Sequence, residues 1–139
     1  MTTTLQVSHP HKARMLMTHP IFSGLQAHEL DEIASGCEVL RLEAGDRLFH
    51  QGDEGTDLFI VLTGRLRITC ASPDGVLVVV GVIEDNGLVG EMSALDPSPR
   101  SATAIAAMQT TVVRVPGTQF IEMVRQLSLI HISEPTRPY

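Results

Sequence analysis

The densest group of residues able to do chemistry lies between Gly87 and Ala107, GLVGEMSALDPSPRSATAIAA. An apolar stub, Leu88-Val89, meets Gly90, and Glu91-Met92-Ser93-Ala94-Leu95 can close one helical turn. Asp96-Pro97-Ser98-Pro99 breaks that turn, and Arg100 follows at the mouth of the next strand. This is the layout of a compact anion cradle. Free N–H groups at a helix start favour negative charge, and a glycine lets a ligand approach the backbone closely. Arg100 offers a planar, two-pronged donor to phosphate oxygens. Glu91, acceptor-only when ionised, can take a hydroxyl hydrogen bond. An acidic acceptor beside a phosphate clamp suits a sugar phosphate. Taken singly, Arg100 reads as a surface arginine after a proline turn and Glu91 as a carboxylate favoured by the helix dipole.

Other chemistries find less support. His9, His11 and His19 fall in a poorly specified leader, His28 on a polar helix face and His131 near the C-terminus, leaving His50 alone in the strand region. A metal site needs several ligands converging, so no metal is expected. Ser93 and Ser101 have no histidine base nearby in sequence, and no paired carboxylates stand out, so no catalysis is expected. Cys37 and Cys70, the two cysteines, show no CxxC or Cys/His spacing, which fits a reduced compartment.

The elements that must hold the cradle are mostly strands. Leu30, Ile33, Ala34 and Cys37 fall at i, i+3, i+4 and i+7, one face of an amphipathic helix, with His28, Glu29, Asp31 and Glu32 outward. Beyond Cys37 the period becomes two, with Leu40 and Leu42, then Leu66, Ile68 and Cys70, alternating with polar or opposite-facing neighbours. Further strands are predicted at Leu58–Leu62, Val76–Ile83, Ser101–Ala107 and Thr111–Val115, separated by Gly- and Asp-rich turns. A last helix opens near Thr118 with Phe120, Ile121 and Val124 as its stripe. Met15, Met17, Met92, Met108 and Met123 read as core or gap-filling residues. Short strands at this spacing predict a mainly β fold, a double-stranded β-helix or jelly-roll-like β-roll with flanking α-helices.

Length and charge agree with one domain. The chain has 139 residues, 43% of them hydrophobic and 19% charged, which is a globular composition. A net charge of −6 argues against a nucleic-acid-binding or anionic-lipid surface in this piece, since both need clustered cations. The longest apolar run, Val76 to Ile83, is too short to cross a bilayer, and no signal-peptide pattern opens the chain, so a cytoplasmic location is expected. Leu127 to Arg137 reads LSLIHISEPTR, which resembles the in-frame translation of a widely used transposase sequencing adapter. Residues 127–139 are therefore expected to be a non-native tail, and the natural protein is expected to continue past Gln126. The expected organisation is a leader with a short helix over 1–20, one domain over 21–126, and the tail.

The motif G-E-M-S-A-L, a four-residue spacer and R-S-A-T, at 90–103, resembles the phosphate-binding cassette of cyclic-nucleotide-binding domains. Ile21-Phe22-x-x-Leu25, Glu29-Leu30, Gly45-x-x-Leu48-Phe49-x-x-Gly52-Asp53, Phe59-Ile60-Val61-Leu62-x-x-Gly64 and Phe120 extend the resemblance from Ile21 to about Gln126. Val89 departs from it conservatively, where Phe is commoner. The resemblance implies that Glu91 accepts the ribose 2′-hydroxyl and Arg100 pairs with the cyclic phosphate. It implies backbone contacts from Gly90, Met92 and Ala102, with Ser93 in the same turn and Ser101 beside phosphate and purine. The effector implied is cAMP, or cGMP if Ser101 meets a guanine amino group. The family usually adds a lid helix, which would form where the adapter-like segment begins. Within it, the chain is similar to the N-terminal sensors of Crp/Fnr-type transcription regulators. That implies a homodimer and DNA contact through a domain outside this sequence. The alternatives are the regulatory domain of an enzyme or transporter, a stand-alone sensor and, from another class, a cupin-like enzyme.

Overall fold

The computed structural model describes residues 2–17, 19–95 and 98–130. In chain order these form β1 (Thr3–Leu5), α1 (His9–Met17), a 3-10 turn (Pro20–Phe22), α2 (Ala27–Gly36), β2 (Glu38–Leu42) and β3 (Arg47–Phe49). Then come β4 (Leu58–Thr63), β5 (Leu66–Ala71), β6 (Leu77–Ile83), β7 (Leu88–Val89), α3 (Glu91–Leu95), β8 (Thr103–Ala106), β9 (Thr110–Val115) and α4 (Gly117–Ile130). Of the adapter-like segment, 127–130 continue α4, while 131–139 lie outside the described residues.

The strands make two sheets, β1-β2-β9-β4-β7 and β3-β8-β5-β6, antiparallel throughout. One core fills the roll between them: Leu42, Phe59, Val61, Leu66, Val89, Ala106 and Val112. A second lies between the five-stranded sheet and the helices, where Val39, Leu58, Ile60, Val113 and Val115 meet Leu16, Phe22, Leu30, Ile33, Ala34, Phe120 and Met123. β4 is buried on both faces, which is why LFIVL reads as a continuous apolar run and not an alternation. α2 buries Leu30, Ile33 and Ala34, and its start is closed by the Gln26 N–H donating to the Glu29 carboxylate at 3.0 Å.

Four features differ from the sequence reading. The leader is built into the fold: β1 pairs with β2, α1 packs on α2, and Leu16 is fully buried. β3, short and opened by Arg47, lacks the apolar run that marks its neighbours. In β5 the alternation fails beyond Ile68, because its register against β6 shifts between Ile68 and Thr69, and Thr69 is buried in turn. Met123 is in the core, but Met17, Met92 and Met108 are exposed and fill no gap. Among the described residues β6 is the edge of its sheet, and its valines and Leu77 are largely exposed.

Candidate functional site

The cradle forms where β7 hands over to α3. Gly90 sits at φ +87°, a conformation that costs an L side chain about 1–2 kcal/mol. A Cβ there would also lie 2.6 Å from Arg100 Nη1 and 3.1 Å from the Asp57 carbonyl oxygen. Glycine at 90 is thus needed both for the turn and for the arginine to lie against it. α3 follows as the single turn expected, with Glu91 half-buried, Met92 exposed and Ser93 buried. Asp96 and Pro97, the expected breaker, lie outside the described residues.

Arg100 returns to the same place from the far side of the loop and is 6% exposed. Its Nη1 donates to the Gly90 carbonyl at 3.2 Å and its Nη2 to the Asp57 carbonyl at 2.7 Å. Its own N–H donates to the Asp53 carbonyl at 2.8 Å, and its carbonyl accepts from the Gly52 N–H at 2.7 Å. Burial lowers the affinity of the guanidinium for its proton, opposed by the charges of Asp57 and Asp53. A guanidinium carries five N–H groups; among the described residues, two of those of Arg100 donate to carbonyls. Burial also raises the pKa of the Glu91 carboxyl above its ordinary value, partly opposed by its own N–H.

Glu91 stands at the edge of a cavity of about 570 Å³ walled by Ile68, Val80, Val82, Ile83, Leu88 and Val89. Binding cavities for ligands of nucleotide size run to roughly 300–1,000 Å³. The wall offers apolar surface to a flat ring system, and Glu91 supplies the polar group at its rim. Of the sequence-predicted residues, the fold brings Arg100 onto Gly90, while Glu91, next along the chain, lines the cavity. Ser101 is exposed and Ala102 half-buried directly after Arg100, and the Ser101 carbonyl accepts from the Cys70 thiol at 3.3 Å. Among the described residues no group of three His, Cys, Asp or Glu gathers where a metal could be held. None of their helices is long and apolar enough to cross a membrane.

The family model for the cyclic nucleotide-binding domain matches residues 39–127. The chain belongs to that family. Its relatives include the cyclic AMP receptor protein of Thermus thermophilus, 31% identical over 111 residues, covering 80% of this chain and 51% of that protein. The lysophospholipase nte1 of Neosartorya fischeri is 35% identical over 89 residues, 64% of this chain but 6% of that one. The cyclic nucleotide-binding domain described here therefore spans about half of the first relative and a small part of the second. Among solved structures it resembles the sensor domain of the transcriptional regulator DNR from Pseudomonas aeruginosa. There the TM-score is 0.77 at 20% identity, covering 88% of this chain and 85% of that one.

Sequence reasoning missed the surroundings of the arginine. Asp57, Phe49 and Phe59 reach it from β3, β4 and the loop between them, some forty to fifty residues away in sequence. Phe49 and Phe59 stood within the family pattern, but no local period marks them as partners of Arg100.

Proposed function

We propose that this domain is a non-catalytic sensor for a cyclic nucleotide, cAMP before cGMP, in the N-terminal part of a Crp/Fnr-type transcription regulator. The observation that carries the reading is Arg100 held on the Gly90 carbonyl, one residue before Glu91, which itself lines an apolar cavity. In this proposal the purine lies on the wall formed by β5, β6 and β7, the ribose 2′-hydroxyl donates to Glu91, and the cyclic phosphate takes the remaining N–H groups of Arg100. Gly90, Met92 and Ala102 add backbone contacts, Ser93 sits within the turn, and Ser101 lies beside phosphate and base. Kinship with the Thermus receptor and the DNR-like fold support a regulator over other settings. On this reading the protein is cytoplasmic and dimeric, and DNA is bound by a domain beyond Gln126, with residues 127–139 foreign to it. The nte1 relatives favour one alternative, a regulatory domain within a larger enzyme.

Isothermal titration with cAMP and cGMP tests the site. Arg100→Ala is expected to cost about 2–5 kcal/mol of binding, because a desolvated phosphate loses its counter-charge. Arg100→Lys recovers little, since a point charge cannot reproduce the planar fork. Unchanged affinity in Arg100→Ala would sink the assignment.

A further inference from the structure

A buried cation needs compensation, and the kind of compensation decides what it can still bind. A carboxylate would neutralise Arg100 and compete with an incoming anion. The structure supplies carbonyl dipoles and ring faces instead. The guanidinium carbon lies 4.5 Å from the centroid of the Phe49 ring and 5.9 Å from that of Phe59. The two rings touch, with centroids 5.9 Å apart and planes at 32°. Phe49 belongs to the four-stranded sheet and Phe59 to the five-stranded one, so the pair spans the two sheets beneath the arginine.

Both nearby carboxylates are turned to other tasks. Asp57 Oδ2 accepts from Arg114 Nη1 at 2.9 Å, and Arg114 also pairs with Glu38 at 3.0 Å. Asp53 Oδ2 accepts from the His50 N–H at 3.0 Å. Asp57 thereby offers Arg100 its carbonyl while its carboxylate is hydrogen-bonded to Arg114.

We propose that Phe49 and Arg114 are positioning residues of the anion site. Phe49 is the shelf that fixes the guanidinium plane, and Arg114 holds the Asp57 carboxylate off it, so Arg100 stays placed without being neutralised. The proposal rests on Arg100 being the phosphate-binding group. Neither residue need touch the ligand. The attraction of a guanidinium to a ring face is largest where water is excluded, as at this 6% exposed arginine.

The test is titration of the whole chain with cAMP, with thermal melts of every variant. Phe49→Leu keeps apolar volume but not the ring, and is expected to weaken binding about two- to thirtyfold. Phe49→Tyr, which keeps the ring, recovers most of that loss. Arg114→Met frees Asp57 to pair with Arg100 and weakens binding about two- to tenfold. Adding Asp57→Asn to it removes the competing charge and restores affinity. A merely structural role predicts no such rescue, because the double variant removes a further contact. If Phe49→Leu binds like the parent, or Asp57→Asn fails to rescue Arg114→Met, the proposal is overturned while Arg100→Ala still reports on the site. If Arg100→Ala binds like the parent, the underlying reading falls first and takes the proposal with it. Should Phe49→Leu not fold, the shelf is read in the parent by NMR. The Arg100 Nε–Hε signal is expected to be displaced by ring current, and an undisplaced signal overturns it.

Discussion

Replacing Gly90 by alanine tests the cradle at the point where backbone and ligand site are one object. At φ +87° an alanine costs about 1–2 kcal/mol in backbone conformation alone. Its Cβ would lie 2.6 Å from Arg100 Nη1, inside any real contact, so the arginine must give way. The Asp57 carbonyl at 3.1 Å belongs to the backbone and gives little. Moving the guanidinium weakens the 3.2 Å bond to the Gly90 carbonyl and strains the 2.7 Å bond to Asp57. A net loss near 1–2 kcal/mol is reasonable for charge-assisted bonds of this kind. Gly90→Ala is therefore expected to lose about 2–4 kcal/mol of apo stability. For a chain of 139 residues that lowers the melting temperature by roughly 6–16 °C. Urea denaturation gives the free energy, and titration of the folded fraction gives binding, which should fall with it because Arg100 is displaced. A Gly90→Ala protein within about 0.5 kcal/mol of the parent would refute both the strain and the steric argument.

Three more expectations follow from the charges and the chain end. Glu91→Gln should leave apo stability at neutral pH unchanged or raise it, because the buried carboxylate has a raised pKa and its charged form is the one that costs. The same change should weaken cAMP by about 1–3 kcal/mol in titration; a loss of apo stability with normal binding would contradict both roles. His19 is 8% exposed and burial lowers its pKa from 6.5, so the unfolded chain binds a proton that the fold does not. Stability should then fall as pH drops below 6.5, and a His19→Gln variant should lose that part of the slope in pH-dependent melts. Deleting residues 127–139 should shift apo stability by less than about 1 kcal/mol, and a much larger loss would mean that the segment is native structure.

What could be read from sequence tracks how local the signal was. β4 and β6 announce themselves through apolar runs that no helix of that length would need, β9 through its β-branched threonines and valines, and α2 through its i, i+3, i+4 spacing. β1 and β3 are three residues long, too short to show a period of their own, and exist only because a neighbour supplies the ladder. The Gly90-Glu91 and Arg100 pair stood out because the cassette is contiguous in sequence. The setting of Arg100 did not: its ring shelf, its carbonyl from Asp57 and the guard at Arg114 come from separate strands and a loop, and only the fold makes them neighbours. The Cys70 face was misjudged for a similar reason, since a register shift belongs to a pair of strands and to neither strand's own pattern.

The exposed apolar face of β6 has a practical consequence for anyone handling the protein. Leu77 to Ile83 carries no charge, no proline and high strand propensity, and several of its side chains are about half exposed or more. Such a segment is a template for intermolecular pairing and aggregation. Its gatekeepers are Asp74 on one side and Glu84 and Asp85 on the other, which repel a second copy by like charge. Glu84 is partly offset by Arg65 at 3.2 Å, so Asp74 and Asp85 do most of that work. Precipitation should therefore rise as the solution approaches the isoelectric point near 5.4 or as salt screens the flanks. A lysine placed at Leu77, 68% exposed and outside the cavity wall, should suppress it without touching the fold's core.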